Sequence, residues 1–329
     1  MSCAFSRRRP TVTSAAASHL LVLNAAEGRV QMLIACPASE FERTGGVSIP
    51  GCPDRNGGYV PRCAQSWHAP SQGAELLAPA LRDAWQRLRI SPGDIKNIAV
   101  VRGPGSFTGL RLTLATAAGL ARATGALQAG LEYLPLLAAS AAWRLGPLAG
   151  AGRCLWVLTH ARRQLVHLQG FIMTPGQNRQ KEAIPVSALG EIAVCTPEEA
   201  VQRILSFHET AASTGDGRAA LPPLLLGSGL TRNRDVLAAL LKTSPNGTDA
   251  VATGASGACP LFLDPDFDHP TFDAMLRIAA ALSFISEDVA PYYARPADAE
   301  ENLERIALSL RLDPRQARAR LGELTGNVL

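Results

Sequence analysis

The residues best suited to bind a ligand or to take part in catalysis lie in one glycine-rich segment. Gly103, Gly105 and Gly109 lie within seven residues, and Ser106 and Thr108 stand between them. Glycine lets backbone N–H groups approach an anion closely, and a following helix adds unpaired N–H donors and about half a positive charge at its N-terminus. The segment therefore predicts either a phosphate-binding loop or a tight turn that lets a helix pack closely against a strand.

Known phosphate-binding patterns match this segment only in part. The lysine of G-x-x-x-x-G-K-[ST] is missing, and the third glycine of G-x-G-x-x-G comes one residue late, because Thr108 stands at its place. Both interpretations therefore stay open, and weak or partner-shared binding of ATP or ADP is the only cofactor binding that we consider. The candidate nucleotide or phosphate contacts are Gly103, Gly105, Ser106, Thr108, Gly109 and Arg111.

Other arrangements that could support catalysis or metal binding are incomplete. Ser106 does not lie in G-x-S-x-G, because Pro104 and Thr108 occupy the two glycine positions. The acidic stretch at 264–269 lacks the glycine and the distal glutamate of a calcium loop. The six histidines include no H-x-x-x-H pair, and the seven cysteines include no C-x-x-C pair. The sequence therefore predicts no catalytic residue and no metal site.

The elements around the glycines predict an α/β fold. Ile95–Val101 is a mostly apolar run, typical of a central strand, and Leu112–Thr124 is a helix candidate. Upstream, two apolar runs joined by a polar link predict a strand hairpin, and Ser71–Leu88 carries an apolar stripe at helical spacing. From Gly130 the same order recurs more loosely. This order predicts two RNase H-like subdomains in tandem, as in actin, Hsp70 and sugar kinases.

Three parts are predicted along the chain. Residues 1–18 contain an arginine triplet and no acid, and we expect a disordered tail there. The N-terminal subdomain is 19–129, with a long loop insertion at 37–70 that includes one short strand near 46–49. The C-terminal subdomain is 130–329. Its predicted features are insertions at 174–185, 209–220 and 243–259, helices at 134–143, 197–205, 272–284 and 303–321, and strands at 154–158, 165–171 and 224–226.

The composition excludes several classes of protein. The chain has 329 residues, 47% of them hydrophobic and 18% charged, and a net charge of +4. Basic runs with interleaved aromatics, the mark of a nucleic-acid binder, are missing. No apolar run reaches the ~18 residues of a membrane span. We therefore expect a globular cytoplasmic protein with no membrane segment.

The helix after the glycine loop has an unusual surface. Ala115, Ala118 and Gly119 form a face of small residues, while Leu110 and Leu114 lie on its other sides. A helix that is apolar on most sides is either deeply buried or shared with a partner. A partner-binding face is therefore at least as consistent with this helix as a catalytic role.

The loop and its helix resemble the signature of a known family. The segment G-P-G-S-F-T-G-L-R at Gly103–Arg111, followed by A-x-G-L-A at Ala117–Ala121, is similar to the motif of the TsaB (YeaZ) family. The strand at Asp94–Val100 and the segment Pro291-Tyr292-Tyr293, with Arg295 and Asp298-Ala299 after it, also resemble that family. The similarity covers most of residues 20–300.

The resemblance implies a function and a set of partners. TsaB proteins are non-catalytic subunits that pair with TsaD (Gcp-type) proteins, together with the ATPase TsaE, to form threonylcarbamoyladenosine (t6A) at adenosine 37 of tRNAs that read ANN codons. The helices at Ser71–Leu88 and Leu110–Thr124 would then face TsaD, or form a homodimer in its absence. The implied interface residues are Leu77, Leu81, Leu110, Leu114, Ala115, Ala118 and Gly119. The alternative is an enzyme, either an actin-fold ATPase or kinase or a glycoprotease-like peptidase.

Two positions depart from the family pattern. Asn24 stands where the family usually has aspartate after the first strand, and His160 stands where it often has the aspartate of D-A-R. In active actin-like ATPases, carboxylates at such strand ends hold Mg²⁺, and neither asparagine nor histidine replaces them well. Both changes therefore argue against independent phosphoryl transfer and leave a scaffolding role intact.

Overall fold

A computed structural model describes residues 18–43, 58–69, 73–146, 152–162, 164–174, 184–214, 221–241, 260–294, 307–309, 312–313, 315–316 and 320. The chain divides into two compact units, Met1–Tyr292 and Tyr293–Leu329. The first unit contains two β-sheets, which define an N-terminal and a C-terminal lobe. In the second unit, the described residues include a helical turn at 307–309.

The N-terminal lobe is built on a five-stranded sheet in the order β3-β2-β1-β4-β5. Strands β1, β2 and β3 are antiparallel neighbours, whereas β4 and β5 run parallel to β1. All six residues of β1 are buried, as expected for a central strand that is covered on both faces. The strands are β1 His19–Asn24, β2 Arg29–Pro37, β3 Tyr59–His68, β4 Ile95–Gly103 and β5 Leu127–Glu132.

Four α-helices accompany this sheet in the described part of the lobe. They are α1 Ala38–Arg43, α2 Gly73–Leu88, α3 Phe107–Thr124 and α4 Tyr133–Leu145. Helices α2 and α3 direct their apolar stripes onto the sheet, and the side chains buried there include Leu77, Leu81 and Leu110. Nine residues of α4 are buried, because α4 packs between the two lobes.

The C-terminal lobe repeats this topology. Its main sheet has the order β8-β7-β6-β10-β11, in which β7 is antiparallel to the central β6 while β10 and β11 run parallel to it. The short strand β9 also pairs with β7. The elements are β6 Cys154–His160, β7 Val166–Met173, β8 Val186–Ala188, β9 Ala193–Cys195, α5 Pro197–Ser213, β10 Leu224–Leu226, α6 Ser228–Arg232, α7 Arg234–Leu241, β11 Leu261–Phe262 and α8 Phe272–Ala280.

The two matching sheets confirm the predicted fold class of two RNase H-like lobes in tandem. One hydrophobic core contains residues of both sheets, such as Val22 and Val157, together with α4 and α8. No helix of the described residues is long and apolar enough to cross a membrane.

The long loop predicted at 37–70 is wrong in part. It contains helix α1 and the ten-residue strand β3. Strand β3 lies at the edge of the sheet and alternates half-buried with exposed residues, and Pro61 stands beside a register shift in its pairing with β2. Proline is tolerated at edges and bulges, where the ladder does not need its missing N–H. The strand predicted near 46–49 lies outside the described residues.

Several predicted boundaries differ from the observed ones. The subdomain boundary at 129/130 falls inside β5, which pairs with β4 in the first sheet. The helix predicted at 197–205 continues to Ser213, the helix at 272–284 ends at Ala280, and α6 and α7 were not predicted. The tail at 1–18, the insertions at 174–185 and 243–259, and the C-terminal helices at 303–321 lie mostly outside the described residues. In the insertion at 209–220, the first residues belong to α5.

Candidate functional site

The carboxyl ends of parallel strands from both sheets lie close to one another where the two lobes meet. Strands β1 and β6 end there at Asn24 and His160, and β10 ends at Leu226. In α/β sheets, ligands bind outside the carboxyl ends of parallel strands. We therefore define the interlobe cleft by the turn 24–29, the end of β6 and the turn 227–229, which meet through the hydrogen bonds described below.

The glycine loop packs against the first turn of this cleft. A Cβ at Gly105 would overlap the carbonyl oxygen of Ala26, and a Cβ at Gly109 would overlap that of Ala25. Gly103 has a φ of +128°, and a Cβ there would overlap the carbonyl oxygen of Tyr292. Side chains at these positions would displace backbone. The three glycines are therefore required by the close packing of the chain on itself.

The other loop residues begin helix α3 or lie at its surface. The Ser106 N–H donates to the Ala26 carbonyl oxygen at 2.5 Å, and the Ser106 hydroxyl accepts from the Gly109 N–H at 3.3 Å, which caps the helix. Thr108 and Arg111 are exposed, and the Arg111 guanidinium lies 3.7 Å above the ring of Phe107. This geometry favours the tight strand-to-helix turn over the phosphate loop, and nucleotide binding stays a prediction.

Asn24 is part of a buried hydrogen-bond network. Its side-chain N–H donates to Gln31 Oε1 at 2.8 Å, and its Oδ1 accepts from the Ala26 N–H at 3.0 Å. Gln31 in turn donates to the carbonyl oxygen of Pro270 at 3.0 Å. The position needs a donor and an acceptor on one side chain, which asparagine supplies and a carboxylate does not. The network therefore accounts for asparagine in place of the family's aspartate.

His160 ends β6 on the opposite side of the cleft. Its backbone N–H donates to the Ser228 hydroxyl oxygen at 3.0 Å. Burial lowers the pKa of the imidazole, and the nearby positive charge of Arg232 lowers it further, so the ring is neutral at pH 7. In the part of the chain that the structure describes, no three His, Cys, Asp or Glu side chains form a group that could hold a metal ion.

Glu27 is a site residue that the sequence did not reveal. Glu27 is half-buried, and both of its carboxyl oxygens accept hydrogen bonds from the chain. The Tyr133 hydroxyl donates to Oε2 at 3.1 Å, and the Ser228 hydroxyl from the other lobe donates to Oε1. Burial raises the pKa of Glu27 to about 7, and these hydrogen bonds oppose the rise. A charged residue in a short turn beside Gly28 is expected in solvent, and only the packing of the lobes encloses it.

Asp268 completes this part of the cleft. Its Oδ1 accepts from the Gly227 N–H at 3.1 Å, and its Oδ2 accepts from the Thr231 hydroxyl at 2.7 Å. The Tyr133 hydroxyl lies 3.3 Å from the Asp268 carbonyl oxygen. Burial raises the pKa of the Asp268 carboxyl. Both enclosed carboxyl groups of the cleft are therefore satisfied by hydrogen-bond donors of this chain.

The predicted partner interface divides into buried and accessible residues. Leu77, Leu81 and Leu110 are at most 3% exposed and belong to the cores of the protein, so their inclusion in a surface was wrong. The apolar stripes of α2 and α3 face the sheet, so the protein buries these leucines by itself and needs no partner to cover them. Leu114 packs partly into the same cores.

The accessible residues lie on one side of α3. Ala115 and Gly119 are exposed and Ala118 is half-buried. No other atom of the described residues lies within 4 Å of a Cβ built on Gly119. Arg122, also exposed, forms an ion pair with Asp288. We define the outer face of α3 by the residues that share this side, namely Thr108, Arg111, Ala115, Ala118, Gly119 and Arg122.

Comparisons with known proteins find similarity to TsaD proteins over part of the chain. A family model described as tRNA N6-adenosine threonylcarbamoyltransferase (TsaD) matches residues 52–176. A curated protein of that name from Ruegeria pomeroyi is 32% identical over 135 residues, which are 39% of this chain and 36% of that protein. The matched region thus spans little more than a third of the relative's length.

Two solved structures from Pseudomonas aeruginosa share the fold. One, described as similar to the peptidase YeaZ, has a TM-score of 0.53 at 19% identity and covers 84% of this chain and 100% of its own. The other, YeaZ itself, has a TM-score of 0.50 at 19% identity, with coverage of 84% and 99%. These two structures show that the chain has the fold of the YeaZ proteins, as the sequence predicted.

Proposed function

We propose that this chain is a TsaB (YeaZ)-type subunit that docks onto a TsaD-type protein and has no catalytic activity of its own. The complex would act in the cytoplasm, with TsaE, to form t6A at adenosine 37 of tRNAs that read ANN codons. The YeaZ fold and the TsaD family match support the t6A pathway. The motif at Gly103–Arg111 supports the TsaB branch, and the absence of H-x-x-x-H in the sequence separates the chain from TsaD.

The observation that carries the proposal is an exposed glycine on the outer face of α3. Glycine in the middle of a helix is less stable than alanine by about 1 kcal/mol. The chain's own packing does not require glycine at position 119, because a Cβ there would point into open space within the described residues. A partner whose backbone approaches this helix closely explains why glycine, and not alanine, stands at position 119. Ala115 and Ala118 extend this surface of small side chains by one helical turn.

The side chains at the ends of β1 and β6 support a non-catalytic role. In the cleft, the Asn24 amide is engaged by Gln31 and Ala26, and the neutral His160 ring is a poor Mg²⁺ ligand. An actin-fold ATPase or kinase would need carboxylates at such positions. The peptidase alternative would need Ser106 as its nucleophile, but the Ser106 hydroxyl caps α3 by accepting from the Gly109 N–H.

Co-purification with the TsaD homologue of the same genome tests the proposal. The variants are Ala115→Glu and Ala118→Glu, each of which places a charge on the outer face of α3. Ala239→Glu is the matched control, because Ala239 is also an exposed alanine in a helix, α7 of the other lobe. We expect the wild type and the control to co-purify with the homologue. Both α3 variants should fold but should not co-purify with it.

Activity assays separate the alternatives. The purified chain with ATP and Mg²⁺ should show no sustained turnover, and t6A formation on tRNA should require both this chain and the TsaD homologue. Sustained ATP hydrolysis by the chain alone, or pairing that survives both α3 substitutions, would overturn the proposal.

A further inference from the structure

Two basic side chains lie next to each other beside the β1–β2 turn. Arg29 begins β2 and His68 ends β3, and the two residues are direct partners in the register of these strands. The Gly28 carbonyl oxygen accepts from the Ala69 N–H at 3.0 Å, which holds the end of β3 against the turn. A Cβ built on Gly28 would lie 3.6 Å from His68 Cε1, so the imidazole lies beside the turn. Directly paired residues share one face of a sheet, so Arg29 and His68 lie on the same face.

A third basic side chain, His269, belongs to the segment between β11 and α8. Gln31 is two residues after Arg29, and its side chain therefore lies on the same face of β2. The Gln31 amide donates to the Pro270 carbonyl oxygen at 3.0 Å, which fixes the segment against this face of the strand. His269 directly precedes Pro270 and is half-buried, whereas Arg29 and His68 are exposed. We call Arg29, His68 and His269 the basic triad.

The basic triad has no acidic partner among the described residues. None of its three side chains forms a hydrogen bond or an ion pair with another described residue. The nearby carboxyl groups are engaged elsewhere, because Glu27 accepts from Ser228 and Tyr133, and Asp268 accepts from groups around the start of α6. Positive charge and N–H donors are therefore gathered at one place without an acceptor, which is the arrangement that an anion needs.

We propose that the basic triad binds a phosphate group. The Arg29 guanidinium presents paired N–H groups that match two phosphate oxygens, and the His68 and His269 imidazoles supply further N–H donors. Phosphate has an acceptor oxygen for each of the three side chains, whereas a carboxylate offers only two oxygens. The site lies outside the glycine loop at Gly103–Arg111 and does not depend on the proposed partner.

Phosphate binding at the basic triad should be coupled to protonation of His269. In the free protein, burial and the charges of Arg29 and His68 lower the pKa of His269 to about 4, so the ring is neutral at pH 7. A bound dianion reverses the charge beside this ring and raises its pKa, so the anion binds more tightly as the pH falls.

The other titratable groups at this place do not reverse that trend. The pKa of the Glu27 carboxyl is about 7, and burial raises the pKa of the Asp268 carboxyl, so both lose negative charge as the pH falls. The pKa of Tyr133 is raised well above 10, so its hydroxyl stays neutral. Loss of negative charge near the basic triad favours an anion there, in the same sense as protonation of His269.

NMR of the imidazole rings on the full chain tests the site. The chain has six histidines, so each ring signal can be assigned by substitution. Addition of inorganic phosphate at constant pH should shift the His68 and His269 signals saturably. The His208 ring, which accepts from the Trp156 indole N–H at 3.4 Å in the other lobe, is the internal control. Sulfate, which keeps its charge across the neutral pH range, should raise the pKa of His269 and bind more tightly at lower pH.

Substitutions separate the basic triad from general attraction to a basic protein. Arg29→Gln removes the paired donors, and we expect the dissociation constant for phosphate to rise about tenfold or more. Arg203→Gln is the matched control, because Arg203 is an exposed arginine of α5 in the other lobe, and its affinity should equal that of the wild type. His68→Gln, at the exposed end of β3, should also weaken binding and provides a second variant if Arg29→Gln does not fold.

The source of the phosphate group is identified by competition. A short RNA duplex that displaces sulfate from His68 and His269 assigns the site to backbone phosphate, whereas retention of sulfate assigns it to a small phosphate compound. Two results would overturn the proposal. One is the lack of any saturable shift of His68 and His269 in the wild type, and the other is equal phosphate affinity in the triad variants and Arg203→Gln.

Discussion

Replacement of Gly119 by alanine should stabilise the protein and weaken its docking. Gly119 lies in the middle of α3, is exposed, and has open space where a Cβ would lie within the described residues. Alanine removes the conformational freedom that glycine has in the unfolded chain, so the free energy of unfolding should rise by about 1 kcal/mol. The same methyl group would press against a partner that approaches the helix closely. Overpacking by one methyl group costs about 1–3 kcal/mol, which corresponds to roughly 5-fold to 150-fold in the dissociation constant.

Gly125 provides the matched control on the same helix. A Cβ on Gly125 also meets no other atom of the described residues within 4 Å, but Gly125 has a φ of +72° at the helix C-terminus. Left-handed backbone is unfavourable for alanine by about 1–2 kcal/mol. Gly125→Ala should therefore lower the free energy of unfolding, in contrast to Gly119→Ala.

Urea unfolding and titration of the TsaD homologue measure the two effects separately. The reasoning predicts a more stable Gly119→Ala protein with weaker binding. A Gly119→Ala protein that is destabilised would show that the chain itself needs this glycine. A stabilised protein that binds the homologue with unchanged affinity would show that no partner approaches the helix at this position.

Three further substitutions test the cleft and the loop. In the wild type, Glu27 has a pKa of about 7 when folded and an ordinary value of 4.5 when unfolded, so its contribution is fully present below pH 4.5 and lost as the pH rises through 7. The free energy of unfolding should therefore fall by about 3 kcal/mol relative to Glu27→Gln across that range, measured by urea unfolding at several pH values. Asn24→Asp leaves Gln31 without its donor and buries a charge, so it should destabilise the protein by about 2–4 kcal/mol in thermal unfolding and create no ATPase activity. Gly105→Ala forces the loop away from the Ala26 carbonyl and should lower the thermal midpoint, whereas equal stability would show that the loop does not pack as described.

The strand–loop–helix unit around the glycines could be predicted because local signals agree there. A buried apolar strand, a glycine turn and a helix with a serine cap follow one another in a short stretch, and the structure places β4, the turn and α3 in that order. The hairpin β1–β2 and the central strand β6 were predictable for the same reason. Strand β3 was not, because an edge strand needs little apolar sequence and Pro61 argues against a strand.

Which side of a helix faces the core is a tertiary property. The leucines of α2 and α3 form stripes that suit either the sheet or a partner, and the structure shows that Leu77 and Leu110 face the sheet. The contact between Glu27 and Ser228 was equally hidden, because the two residues are 201 positions apart in the sequence. Neither residue has a local signal of burial, and only the packing of the two lobes brings them together.

The binding of this chain to the TsaD homologue of its genome tests the central claim most directly. If the outer face of α3 is a docking surface, an isothermal titration should show a saturable complex for the wild type and for Ala239→Glu, and no binding for Ala115→Glu or Ala118→Glu. Equal affinity in all four proteins would contradict the claim.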